Sequence, residues 1–169
     1  MKNNHTKTKV IPHTRATVAV HLILLDGNKI LLMRRKNTGY QDGNWQVPSG
    51  HVMEGETPTG AMVRKAREEI ALTIDHTELQ HVHTSYRVKH DETGTRVDIF
   101  FRASLNARHV AIGSLQHCDR LKWYYPETLP EDTTPHIADA IIASGRGIIF
   151  AEHSLAYVMG NPLYGMAAK

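Results

Sequence analysis

Gly50-His-Val-Met-Glu-Gly-Glu-Thr-Pro-Thr-Gly-Ala-Met-Val-Arg-Lys-Ala-Arg-Glu-Glu-Ile-Ala-Leu72 is the stretch on which the reading of this chain turns. Its first half is a glycine-bearing loop with carboxylates at Glu54 and Glu56. Thr57 and Pro58 then open a helix, because a threonine hydroxyl caps free amides and proline suits the first helical position. The spacing predicts a helix to about Leu72, with Val63, Ala66 and Ile70 on an apolar stripe. Arg64, Lys65, Glu68 and Glu69 fall on the polar side. Magnesium and manganese take hard oxygen ligands, commonly a few carboxylates plus water and substrate phosphates. Adjacent Glu68 and Glu69, facing a glycine loop, can hold such an ion against a diphosphate. Arg64, four residues before Glu68, can pin that side chain by a charge-assisted hydrogen bond. The competing reading of the same residues is a solvated helix face laced by ion pairs.

Upstream, residues 17–25 are apolar and β-branched and read as a buried strand. Asp26-Gly27-Asn28 turns the chain, and residues 30–33 return as a second strand. A loop with glycines at 39 and 43 leads to a short extended piece over residues 45–48. Downstream, strands are predicted over residues 79–88 and 96–103, joined by a turn at Asp91-Glu-Thr-Gly94, with another over 121–125. Residues 135–144 read as a second helix with Ile137, Ala140 and Ile141 inward. Phe150, Tyr157 and Tyr164 predict a tail that docks on the body. Interleaved helices and hairpin-like strands predict an α/β class, with helices flanking a mixed sheet.

The chain has 169 residues, enough for one core and short for two. The expected organisation is a basic extension over residues 1–15 and a single domain over 16–169. Composition is ordinary for a globular domain, 41% hydrophobic and 22% charged, which excludes a disordered or collagen-like chain. No apolar run approaches the ~18 residues of a membrane span, so no membrane partner is expected. The first residues lack the apolar region of a secretory signal, and the single Cys118 forms no internal disulfide. Both fit a cytoplasmic protein. Net charge is +3, and residues 1–25 carry Lys2, Lys7, Lys9 and Arg15 with no acid. A mild positive field suits a phosphate ester. No dense basic tract with interleaved aromatics points to nucleic acid.

The opening stretch resembles the signature of the Nudix hydrolase family: Gly, five residues, Glu, seven residues, then Arg-Glu-apolar-any-Glu-Glu-any-Gly-apolar. Gly50, Glu56, Arg64, Glu68, Glu69 and Leu72 stand at its positions, and Ala66 fills the apolar slot. Residues 45–48, and Trp123 followed by Glu127-Thr-Leu-Pro130, look like the family's flanking strands, so the resemblance covers roughly residues 17–145. It implies a Nudix-type α/β/α sandwich with a mixed β-sheet. It also implies hydrolysis of a nucleoside diphosphate linked to another moiety, with a nucleotide or other pyrophosphate as the partner and a homodimer as a common assembly. Mg²⁺, or Mn²⁺, would sit on Glu68, Glu69 and the Gly50 carbonyl, with Arg64 orienting the glutamates. Glu56 would serve as base, as a helix–loop salt bridge or as distant metal support, and the Asp91-Glu92 loop offers another base. By the same likeness Arg34, Arg35 and Tyr40 border the substrate cleft, where arginine would grip phosphate and tyrosine would stack on a base. Ordinary strand-end residues are the alternative for these three.

Two positions depart from the signature. Ala71 replaces a glycine that ends the helix in the left-handed region, so it either adopts that conformation at modest cost or lengthens the helix. Lys65 replaces a glutamate. It lies four residues before Glu69, and one charge pair at contact is on the order of 4 kcal/mol at a partly screened dielectric, before solvation costs. This favours a second reading, a Nudix-like nucleotide-binding module that hydrolyses slowly or not at all. Asp98 also has two readings, pairing with Arg96 and Arg102 or contact with substrate or metal. His81 and His83 share a strand face, a weak zinc signal. Cys118 reads as a packed thiol.

Overall fold

A computed structural model describes residues 13–88, 94–106 and 108–153. In chain order these form β1 (Ala16–Asp26), β2 (Lys29–Arg35), β3 (Trp45–Gln46), β4 (Ser49–His51), α1 (Pro58–Ile70), β5 (Gln80–Arg87), β6 (Thr95–Ser104), β7 (Cys118–Tyr124), α2 (Pro135–Gly145) and β8 (Phe150–His153). One mixed eight-stranded sheet runs β3-β2-β1-β6-β5-β8, with β4 also on β1 and β7 also on β2. This is the expected α/β class.

β1 is the organising strand. It pairs in parallel with β6 at ten positions, from Ala16 opposite Thr95 to Leu25 opposite Ser104. Its apolar run is continuous because both faces are covered. Val20, Leu22 and Leu24 face α1, packing with Leu31, Met62, Ala66, Ile70 and Phe101. Ile23 faces α2, packing with Leu32, Phe100, Ile137, Ala140 and Ile141. Burying each large apolar side chain contributes about 1.5–3 kcal/mol.

β1 and β2 pair at only two positions, Leu25 with Ile30 and Asp26 with Lys29, around the turn at Gly27. β4 then takes the β1 edge at Ala19, Val20 and His21. The sheet is thus split between β1 and β2, and the functional cleft lies in that split.

α1 starts as its sequence predicts, with the Thr57 hydroxyl accepting from the Gly60 amide at 3.1 Å. It ends at Ile70, and Ala71 takes the left-handed conformation with φ 52°. The Ala111 and Gly113 amides donate to the carbonyls of Ile70 (3.1 Å) and Glu69 (2.9 Å), so a distant loop closes the helix end. The apolar face is Ala61, Met62, Ala66 and Ile70, while Val63, expected on the stripe, is half-buried.

The strand expected over 121–125 begins earlier, at Cys118. β4 and β8 were not foreseen. β8 joins the free edge of β5, with Phe150 opposite Thr84. Phe150 remains exposed. Tyr157, Tyr164, most of the expected basic extension and residues 91–93 of the expected turn lie outside the described residues. Among those described, no helix is long and apolar enough to cross a membrane.

Candidate functional site

Arg64 holds the loop to the helix. Its Nε and Nη2 donate to the two oxygens of Glu56, both at 2.8 Å. Nη2 also donates to the His51 carbonyl at 3.1 Å. Nη1 reaches both oxygens of Glu68 at 3.4 Å. Glu56 additionally accepts from the Met53 amide at 3.0 Å. The Arg64 guanidinium and then that amide hold the Glu56 carboxyl down at about 2. Both Glu56 oxygens are engaged, so this side chain stands as a strut under Arg64.

Lys65 lies between the two neighbouring glutamates. Its Nζ is 3.0 Å from Glu68 Oε2 and 3.4 Å from Glu69 Oε1. The other Glu69 oxygen accepts from the Ser49 amide at 2.9 Å. Burial pushes the Glu69 carboxyl up, against the opposing pull of Lys65 and Ser49. Glu68 is more open; burial pushes it up, but Lys65 and Arg64 outweigh that and leave it below the usual range. Gly50 explains how the lysine fits. A Cβ on Gly50 would lie 2.4 Å from Lys65 Cε and 2.5 Å from Cδ, so the aliphatic stem runs against bare backbone.

The cleft encloses about 460 Å³. Lys65, Glu69, Ser49, Gly50 and His51 form one wall. Arg35, Tyr40 and Gln46 come from the β2–β3 side, Arg87 and Arg96 from β5 and β6, and His21, His117 and His136 complete the lining. The wall is strongly cationic, with Glu69 as its carboxylate.

Arg35 is fixed before any ligand arrives. Nε donates to the Tyr40 carbonyl at 2.7 Å, Nη2 to Thr38 Oγ1 at 2.8 Å, and Nη1 to Gln46 Oε1. Its guanidinium carbon lies 5.5 Å from the Tyr40 ring centroid. Burial lowers its proton affinity. Arg34, expected beside it, does not line the cleft. Side chains alternate along a strand, and Arg34 makes a two-pronged pair with Asp119 at 2.8 and 2.7 Å.

Asp98 is fully buried and does not form part of the cleft lining. It sits beneath the lining, 3.2 Å from His21 Nε2, hydrogen-bonded by Arg87 Nε and 3.8 Å from Arg96 Nε. Burial pushes its carboxyl up, but His21 and then Arg87 outweigh it and hold the group well below the usual carboxylate range. Its expected partner Arg102 instead donates to the Ser144 carbonyl at 3.4 Å. Arg96 also meets His51 Nε2 at 3.0 Å, and burial followed by Arg96 lowers the His51 ring's proton affinity.

A bulge separates His81 from His83. His83 is buried between the Ile148 carbonyl (2.8 Å) and Ser85 Oγ (3.0 Å), and His81 meets Thr84 Oγ1 at 2.8 Å. Cys118 is buried, and burial raises its thiol. Among the described residues no group of three His, Cys, Asp or Glu side chains could hold a metal ion. At the divalent site expected at Glu68, Glu69 and Gly50, the oxygens already have partners. The position between the carboxylates holds the Lys65 ammonium, the remaining Glu69 oxygen holds the Ser49 amide, Glu56 is bound to Arg64, and Gly50 is paired with Val20 in the sheet. As arranged, these donors do not fit a divalent ion.

Sequence reading missed His21, Arg87 and Arg96 as cleft residues. The polar side of β6, Arg96-Asp98-Arg102, was the available signal, but which partners it met depended on strand register.

The profile of the NUDIX domain matches residues 15–143. The chain belongs to the Nudix family. This Nudix chain is 32% identical over 94 residues to Nudix hydrolase 5 of Arabidopsis thaliana, covering 54% of this chain and 30% of that protein. It is 30% identical over 125 residues to an RNA pyrophosphohydrolase of a Psychrobacter species, covering 73% of this chain and 61% of that protein. The matches thus span 30% and 61% of these relatives' own lengths, in each case less than two thirds. A MutT NUDIX hydrolase from Burkholderia pseudomallei has the same fold, with a TM-score of 0.68 and 18% identity over 76% of this chain and 98% of that one.

Proposed function

We propose that this Nudix chain hydrolyses a nucleoside diphosphate derivative at the phosphoric anhydride bond. The observation that carries the reading is the convergence, in one cleft, of Arg35, Lys65, Arg87 and Arg96 on the carboxylate edge of the Nudix box. A pyrophosphate carries several negative oxygens, and bidentate guanidinium contacts match that geometry. Arg35 is held in place by Gln46, Thr38 and Tyr40, so little ordering remains when a phosphate binds. The Tyr40 ring offers a flat apolar face for a base or sugar.

In the reaction a water oxygen bonds to phosphorus as the bridging P–O bond breaks. The charge that develops on the departing phosphate falls among the cleft cations. Glu69 is the box carboxylate that faces the cleft, and its burial raises its affinity for a proton. Its Oε1 meets Lys65 as an ion pair at 3.4 Å and not as a hydrogen bond, and we assign that oxygen as acceptor of the attacking water's proton. Glu56, engaged by Arg64, acts through the position of the helix.

The Lys65 contacts favour a second reading, a nucleotide-binding module with slow turnover. A phosphate-release assay over a nucleotide panel with Mg²⁺ or Mn²⁺, on wild type, Glu69→Gln and Lys65→Glu, separates the two. Wild-type turnover lost in Glu69→Gln establishes hydrolysis. Turnover that appears only in Lys65→Glu establishes the second reading. Neither turnover nor binding across the panel refutes both.

A further inference from the structure

We infer that the Lys65 ammonium bridges Glu68 and Glu69 to the substrate's pyrophosphate, so that nucleotide binding in this cleft needs no divalent ion. The inference rests on the nucleotide-cleft reading above and assigns Lys65 a task within it.

Three observations carry it. First, position: Nζ lies 3.0 Å from Glu68 Oε2 and 3.4 Å from Glu69 Oε1 while also lining the cleft. An ammonium has three N–H donors. One is directed at Glu68 Oε2, the ammonium also stands in ion-pair contact with Glu69 Oε1, and a donor is left for a phosphate oxygen. Second, restraint: the stem lies against Gly50 so closely that a Cβ there would stand 2.4 Å from Cε and 2.7 Å from Cγ. The ammonium is therefore held at the carboxylates instead of sweeping through solvent. Third, competition: the other oxygens a divalent ion would recruit are occupied by Ser49 and by Arg64. An incoming ion must displace a cation from two carboxylates at once. The lysine supplies one positive charge where a divalent ion supplies two. It suits holding a phosphate better than acidifying a water.

Titration calorimetry with ADP-ribose and with inorganic pyrophosphate, each in EDTA and in Mg²⁺, tests binding. Mn²⁺ electron paramagnetic resonance on the protein alone tests the metal. The expected wild-type result is equal affinity in EDTA and Mg²⁺, with no stoichiometric Mn²⁺. Lys65→Gln is expected to weaken metal-free binding roughly 10- to 100-fold, the range for one charge-assisted hydrogen bond. Lys65→Glu is expected to take up one Mn²⁺. Gly50→Ala, which pushes the stem aside, is expected to weaken metal-free binding with the circular dichroism spectrum unchanged. Wild-type binding that requires Mg²⁺, or stoichiometric Mn²⁺ on the wild type, overturns the inference and leaves the nucleotide reading standing. Folded Lys65→Gln that binds like wild type in EDTA does the same. Absence of binding in both buffers removes the nucleotide reading and the inference with it.

Discussion

Replacing Asp98 with asparagine keeps the shape of the side chain and removes its charge. In the wild type that charge is fully buried and shared among His21 at 3.2 Å, Arg87 and Arg96. Arg87 and His21 are themselves almost completely buried, at 4% and 5% exposure. Removing one partner of a buried ion pair leaves the others uncompensated, which costs roughly 3–5 kcal/mol. For a chain of this size each kcal/mol moves Tm by about 2–4 °C, so the variant should melt on the order of 10 °C lower at pH 7. The acid limb supplies a second check. Asp98 is held below its usual value in the folded state. A depressed carboxylate contributes stability above its unfolded pKa of about 4, and loses it progressively as pH falls further toward the folded value. The gap between wild type and Asp98→Asn should therefore be present at pH 7 and narrow below about pH 4. Thermal melts and urea midpoints over that range measure it. A drop of less than about 2 °C at pH 7, or a gap that widens in acid, would refute the view that Asp98 ties the cleft cations to the sheet.

Gly113→Ala should lower Tm by several degrees, because its Cβ would lie 2.2 Å from the Glu68 carbonyl oxygen, a backbone atom with little freedom to yield. Overpacking of this kind costs roughly 1–3 kcal/mol. Turnover or binding should fall with it, since Glu68 and Glu69 ride on the helix end that this loop closes; an unchanged melt would contradict the contact. Ala71→Gly should raise stability by about 1 kcal/mol, because alanine stands at φ 52° where glycine is free of the Cβ penalty. A urea midpoint that stays the same or falls would count against the left-handed cap.

The parts legible in the sequence are those decided by near neighbours. Thr57-Pro58 set the start of α1, and the Gly27 turn set the β1–β2 hairpin. The spacing of Gly50, Glu56, Arg64, Glu68 and Glu69 set the box. Ala71 had two outcomes, and packing of the 111–113 loop on the helix end accompanies the shorter helix. What sequence left open depended on partners far along the chain. Arg34 and Arg35 could not be told apart because Ile30, Leu31, Leu32 and Met33 are all buried, so β2 carries no alternation to mark its faces. Asp98 met Arg87 and His21, from two other strands, because of register that no local pattern encodes. The bulge between His81 and His83 broke the simple alternation that placed both rings on one face. β4 and β8 are three and four residues long, too short to show a period.

The ladder between β1 and β6 has a bearing on how the molecule assembles. His21 and Asp98 stand 77 residues apart in the chain. The whole box helix lies inside the loop their pairing closes. Local capping can start that helix early, on the submicrosecond scale of helix formation. The ladder must wait for a distant segment, and such non-local pairings are the slow events in folding. The box helix can therefore begin to form from its own neighbours before the pocket exists. The competence to grip a phosphate arrives with the second half of the sheet.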